Sequence, residues 1–217
     1  MEWLKMWDEK ANTENYFTQT GRGKSFTMFE FLLYIQDVQA SLQLCKDDNL
    51  LDAGCGPCWT TMHFSPFVKW VVAFDYSKTM IEKAREQTKA FSNITAFQLD
   101  ILKMEQSDGG FHKVLVGSVL QYLNNIDEVK QAMQNIYNVM EPGGTALFTH
   151  NPDASKKESH LTTIKPENMQ IELARLWLDF DEIYDIAMSI GFRSCRKLAI
   201  NLLIWQSGHM FDFVLKK

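Results

Sequence analysis

Two periods of apolar residues alternate along the chain. Within 25–43, Phe31, Ile35, Val38 and Leu42 recur at helical spacing and predict an amphipathic helix. NLLDAG (49–54) reads as a buried strand entering a glycine turn, and KWVVAFD (69–75) as a second, continuously apolar in the way of buried parallel strands. Ser77 offers an N-cap to a helix in YSKTMIEKAREQTKA. NITAFQLD (93–100) and HKVLVGS (112–118) predict two more strands. Val129, Ala132, Met133, Ile136, Tyr137 and Met140 mark a helix over 126–140 that Glu141-Pro142-Gly143-Gly144 stops. TALFTH (145–150) predicts a fifth strand, and Ile183, Ile186, Ala187 and Ile190 a helix closed by Gly191. The ranges 195–204 and 210–216 predict the last two strands.

This alternation predicts an α/β fold, a doubly wound and mostly parallel seven-stranded sheet, with ligand at the carboxyl ends of the strands. Only Gln206 to His209 separate the last two strands, too few residues for a parallel crossover, so one of them runs antiparallel. A single domain over 1–217 divides into an irregular N-terminal arm or lid (1–24), a cofactor-binding core (25–150), a connection expected to act as an acceptor lid (151–180), and a last helix with two strands (181–217).

Composition narrows the class. A chain of 217 residues, 46% hydrophobic and 23% charged, suits one globular core. A net charge of −5, with no Lys/Arg run beyond two, argues against nucleic acid as partner. MEWLKMWDEK is not built as a signal peptide, and LAINLLIW (198–205) is too short to cross a bilayer, so no membrane partner is expected. Four cysteines in this length do not make a disulfide scaffold, and reduced thiols in a cytoplasmic protein are expected.

LLDAGCGPCW (50–59) supports two readings. Cys55-Gly56-Pro57-Cys58 has the spacing of a redox dithiol, which would make the chain a thiol oxidoreductase. Yet Ala53 and Gly54 precede the first thiol and the tryptophan follows the second, and no second pair completes a zinc site. Shifted in frame, the stretch is D-x-G-x-G, a glycine turn after a strand. Asp75 closes the next strand 23 residues after Asp52, where nucleotide-binding folds place an acid for ribose hydroxyls. Trp59 stands where a dinucleotide fold needs a third glycine, so the expected ligand is adenosyl without a diphosphate.

With these residues the chain resembles the class I S-adenosylmethionine-dependent methyltransferases over about 25–217. LLDAGCGPC, VVAFDYSKTMIEKAR, FQLDI, KVLVGSVLQYL and MEPGGTALFT are similar, in order, to the family's motifs. The family commonly has D-x-G-x-G-x-G, and Cys58 replaces the last glycine. The resemblance implies S-adenosylmethionine as cofactor and S-adenosylhomocysteine as product. It implies that Gly54 and Gly56 admit the methionine part, that Asp52 orients the turn, and that Asp75 holds the ribose with Tyr76 and Met80 flanking adenine. Asp100 and Ile101 would then meet the adenine edge, and Gly117 and Ser118 line the fourth strand. His150, ending the fifth strand, is the expected general base, with His160 as substitute; Tyr16, Arg22, Gln121 and Tyr122 are expected at the acceptor. Trp3, Trp7, Trp177 and Phe180 form either an aromatic acceptor pocket or lid packing. The implied reaction is methyl transfer to O or N of a small molecule, of the bacterial sugar or secondary-metabolite kind. The alternatives are a protein or peptide N-methyltransferase and a non-catalytic S-adenosylmethionine-binding relative; oligomeric state is left open.

Overall fold

The computed structural model describes residues 2–20, 26–105 and 110–217. Helices α1 (Trp3–Ala11) and α2 (Tyr16–Gln19) precede α3 (Met28–Leu42), β1 (Asn49–Ala53), α4 (Trp59–Phe64), β2 (Trp70–Asp75), α5 (Lys78–Thr88), β3 (Ile94–Gln98) and β4 (Phe111–Gly117). Then come α6 (Ile126–Val139), β5 (Met140–Pro152), α7 (Lys157–Leu161), α8 (Met169–Ala174), α9 (Phe180–Ile190), β6 (Ser194–Leu198) and β7 (Met210–Lys216). The seven strands form one sheet in the order β3-β2-β1-β4-β5-β7-β6. All pairings are parallel except those of β7, which runs antiparallel to β5 and β6. The winding reverses between β1 and β4, so a crevice opens at their carboxyl ends.

The strands look uniformly apolar because both faces are covered. Leu51, Val114, Val116, Ala146 and Phe148 point to a core built with Val129, Met133 and Ile136 of α6 and Ile183 and Ala187 of α9. Their neighbours Leu50, Leu115 and Leu147 point the other way, onto Phe31, Tyr34, Val38 and Leu42 of α3. Local signals agree with the ends of the helices. Thr27 and Glu30 form a capping box on α3, Ser77 caps α5 through Met80 N–H, and Gly191 ends α9 at φ 111°.

Three expectations need correction. The arm is not irregular, since α1 and α2 form within it. The penultimate strand ends at Leu198 rather than 204; Ile200 and Ile204 leave the sheet and bury themselves with the α3 face. A short apolar run serves equally as strand or as loop packed on a core, and here tertiary packing decides. The fifth strand begins earlier, at Met140, because the Glu141–Gly144 stretch that stops α6 still falls within the paired strand. The segment after β5 does contain helix, α7 and α8.

At the centre of the antiparallel pairing Phe148 faces Phe213, their rings stacked at 4.6 Å and 5° with neither exposed. Truncating Phe213 to Ala leaves a ring-sized cavity and is expected to cost about 3–5 kcal/mol. That corresponds to a melting temperature lower by roughly 6–20 °C for a chain of this size, read by calorimetry.

Candidate functional site

The crevice between β1 and β4 is a cavity of about 310 Å³. Its floor is the turn after β1. Gly54 and Gly56 adopt φ 76° and 53°, and a Cβ at Gly54 would lie 2.3 Å from Val119 Cγ2, so glycine is required there. The N–H groups of Gly54 and Cys55 donate to the Phe74 carbonyl at 2.8 and 2.9 Å, which ties this turn to the end of β2. One carboxylate completes the tie: Asp75 accepts from Gly56 N–H at 3.0 Å and from Ser77 N–H at 2.9 Å. Asp52, below the turn, accepts from Thr61 Oγ1 at 2.5 Å.

Asp75 is 9% exposed, and burial pushes its carboxyl up to about 6, against the two N–H bonds that favour the charge and with Asp8 adding repulsion. A raised carboxyl favours the fold while protonated. That contribution is full below about pH 4 and lost as the pH rises through about 6. Tyr76 next to it has a buried hydroxyl with no hydrogen-bond partner among the described residues, and burial followed by the Asp75 charge keeps it protonated. Met80, Asp100, Ile101, Gly117 and Ser118 also line the cavity. Asp100 caps the turn 101–103 through Leu102 N–H at 3.0 Å, and Ser118 sits at φ 57°.

The cavity has a roof that sequence reasoning assigned only in part. Trp3 and Trp7 of α1 line it and meet the Tyr122 ring edge-on at 4.8 and 5.3 Å. From the same helix Asp8 accepts the Ser77 hydroxyl at 2.6 Å, which anchors the arm beside Asp75. Gln19, Thr20, Tyr34, Asn124 and Glu128 lie on the wall and were not anticipated; no motif marks them.

Four expected residues stand elsewhere or undescribed. His150 is 3% exposed, at φ 57°, and lies behind the wall with its ring 4.9 Å from that of Tyr34. The cavity is lined by Tyr34 and not by His150, so its role as base finds no geometric support. Tyr16 packs on Trp59, Phe17 and Phe31 within the α3 core, away from the cavity. Gln121 is buried beside the wall, donating to the Ser118 carbonyl at 3.3 Å while its Oε1 lacks a partner among the described residues. Arg22 falls outside the described residues.

The thiol pair does not have the character of a redox centre. Both cysteines are buried and free, and burial first, then the hydrogen bond to Cys58, pushes the Cys55 thiol well up, the opposite of an activated thiol. Cys58 caps α4 at φ 63°, fully buried against Ala73, Ile81 and Ala84. Among the described residues no group of His, Cys, Asp and Glu could hold a metal, and no helix is long and apolar enough to cross a membrane.

The residues fit an adenosyl cofactor: a backbone cradle that excludes side chains, a carboxylate facing the cavity, and a phenol without a partner. Comparison with known proteins agrees. Residues 50–144 match the family model described as a methyltransferase domain. Nodulation protein S of Rhizobium tropici is 25% identical over 172 residues, covering 76% of this chain and 72% of that one. The demethylmenaquinone methyltransferase of Staphylococcus carnosus is 32% identical over 113 residues, 51% of this chain but only 46% of that enzyme. The structure of N-methyltransferase NodS from Bradyrhizobium japonicum with S-adenosylhomocysteine superposes with a TM-score of 0.71 at 17% identity, over 99% of this chain and 97% of that one. Residues 50–144 are thus similar to a methyltransferase domain, and the seven-stranded sheet has the fold of the class I methyltransferases.

Two predictions follow from the floor of the site. Gly54→Ala combines a left-handed φ with the Val119 clash and should cost about 2–4 kcal/mol in urea unfolding; Val119→Ala in the same chain should return part of it, a coupling that independent sites would not show. In native protein at pH 8, Ellman's reagent should modify exposed Cys45 quickly, and Cys55 and Cys58 only as fast as the protein unfolds. A fast paired phase abolished by C55S/C58S would restore the redox reading.

Proposed function

We propose that the protein transfers the methyl group of S-adenosylmethionine to nitrogen or oxygen of a small-molecule acceptor, with nitrogen favoured. The observation carrying this is the Asp75 carboxylate, held by Gly56 and Ser77 N–H groups on the floor of the cavity. Asp75 accepts from the ribose hydroxyls, Gly54 and Gly56 admit the methionine part, and Tyr76, Met80, Asp100 and Ile101 surround adenine. Trp3, Trp7 and Tyr122 shed water from the space above. When bound, the cofactor supplies an electrophilic methyl on a sulfonium.

The rest of the chemistry is positioning. A neutral amine needs little proton transfer before attack, which suits a wall without a histidine among the described residues. Tyr122, on the cavity wall, is the neighbour of the attacking group there. The nitrogen preference draws support from the likeness to NodS of Bradyrhizobium japonicum, an N-methyltransferase. A cytoplasmic setting, with thiols reduced, belongs to the same proposal.

Because the ribose hydroxyls need a charged acceptor, the proton must leave Asp75 before binding. With its carboxyl near 6, the affinity for S-adenosylhomocysteine should fall about tenfold between pH 7 and pH 5 by calorimetry. Asp75→Asn should bind more than tenfold more weakly at pH 7 and lose that slope. An unchanged slope in the variant refutes the ribose assignment.

A further inference from the structure

The arm and the segment after β5 meet in a polar cluster to which the cofactor site gives no role. Lys10 shares a face of α1 with Trp3 and Trp7, and its ammonium lies 4.6 Å over the Trp7 ring. Arg175, just past α8, pairs with Glu172 at 2.9 Å. Glu172 also faces His160 Nε2 at 3.5 Å, and His160 stacks on His209 at 3.8 Å and 17°. Glu172, His160 and His209 are 5, 8 and 4% exposed.

The charge there is unbalanced. Lys10 and Arg175 bring two cations and Glu172 brings one carboxylate. Burial, then the Arg175 charge, lowers the Lys10 ammonium to about 8. Burial lowers both imidazoles too, so they stay neutral near pH 7. Hydrogen bonding is also incomplete: Arg175 Nε, a buried atom, has no hydrogen-bond partner among the described residues, and His160 Nε2 has Glu172 only at 3.5 Å. Burying cationic and ring donors without acceptors is costly, and an anion with several oxygens would satisfy both deficits at once.

The cluster abuts the cavity. Trp7, under the Lys10 ammonium, lines the cavity, and Leu176 N–H donates at 3.0 Å to the carbonyl of Gln121, next to cavity-lining Tyr122. We infer that Lys10, Arg175 and His160 receive an oxyanion, carboxylate or phosphate, carried by the methyl acceptor, and so hold it with its nucleophile toward Tyr122. This rests on the cavity being the methyl-donor site. Glu172 orients Arg175 and keeps the cluster from holding two uncompensated cations when no anion is bound.

The test titrates the full chain, with and without saturating S-adenosylhomocysteine, with inorganic phosphate and separately with acetate. Sodium chloride at matched ionic strength is the control, and the ring C–H signals of His160 and His209 are followed by NMR. A saturable shift with phosphate identifies a phosphate-bearing acceptor, and one with acetate a carboxylate-bearing acceptor. No saturable shift beyond chloride with either anion overturns the inference. Lys10→Met, on a half-exposed helix position, should weaken the anion about tenfold while leaving S-adenosylhomocysteine affinity in place. Equal anion affinity in that variant also overturns it. Arg175→Met should do the same, and Lys10→Met decides if Arg175→Met does not fold. A wild-type chain that binds the anion but not S-adenosylhomocysteine removes the donor-site reading and leaves the anion site standing.

Discussion

The site depends on one buried carboxylate. Asp75 closes β2, and its two oxygens take the N–H of Gly56 from the loop after β1 and the N–H of Ser77 from the start of α5. Two loops that the sheet only brings side by side are thereby fixed to each other at the switch point. The arrangement has an electrostatic cost, because the charge sits under 9% exposure with Asp8 nearby. Without a ligand part of that cost is relieved by protonation, since burial raises the carboxyl to about 6. Hydroxyl donors from a ligand would complete the carboxylate's hydrogen bonding, so the same strain that weakens the empty site favours its occupancy.

The roof obeys the same constraint. Asp8 reaches the hydroxyl of Ser77, whose side chain also caps α5 and whose N–H already serves Asp75. The arm therefore docks on the residue that organises the floor, and Trp3 and Trp7 follow onto Tyr122. Lys10, one turn further on, extends the helix from the cofactor side to the polar cluster of His160, Glu172 and Arg175. A helix of nine residues, most of them half-buried, thus links the cavity to the polar cluster.

What the sequence makes legible is what local rules control. The strands, the glycine turn and the acid at position 75 are written in short contiguous stretches, and periodicity with spacing suffices to find them. The roof is legible only in part: an aromatic arm is expected to act as a lid, but the helix that carries it is not, and Trp3 and Trp7 meet Tyr122 across 115 residues or more. LAINLLIW misled because burial under α3 and burial in a sheet require the same residues. His150 misled for a geometric reason. Sequence places it at the end of a strand, but β5 runs on to Pro152, its pairing with β7 shifts register between Phe148 and Asn151, and φ turns positive at His150. The simple alternation of faces fails there.

Cys58 shows how a loop can lose a glycine without losing its shape. Glycines in a turn of this kind serve two purposes, close approach to a ligand and access to left-handed φ. At Gly54 both hold, and the space for a Cβ is already taken by Val119. At position 58 only the backbone requirement remains, because the residue lies off the cavity wall and at the N-cap of α4. A left-handed φ of 63° costs a non-glycine residue about 1–2 kcal/mol. Burying the side chain with Cys55, Ala73, Ile81 and Ala84 offsets a similar amount. The second thiol of the pair is thus a packing residue behind the turn. The two-cysteine spacing is a by-product of filling that space with a small apolar side chain.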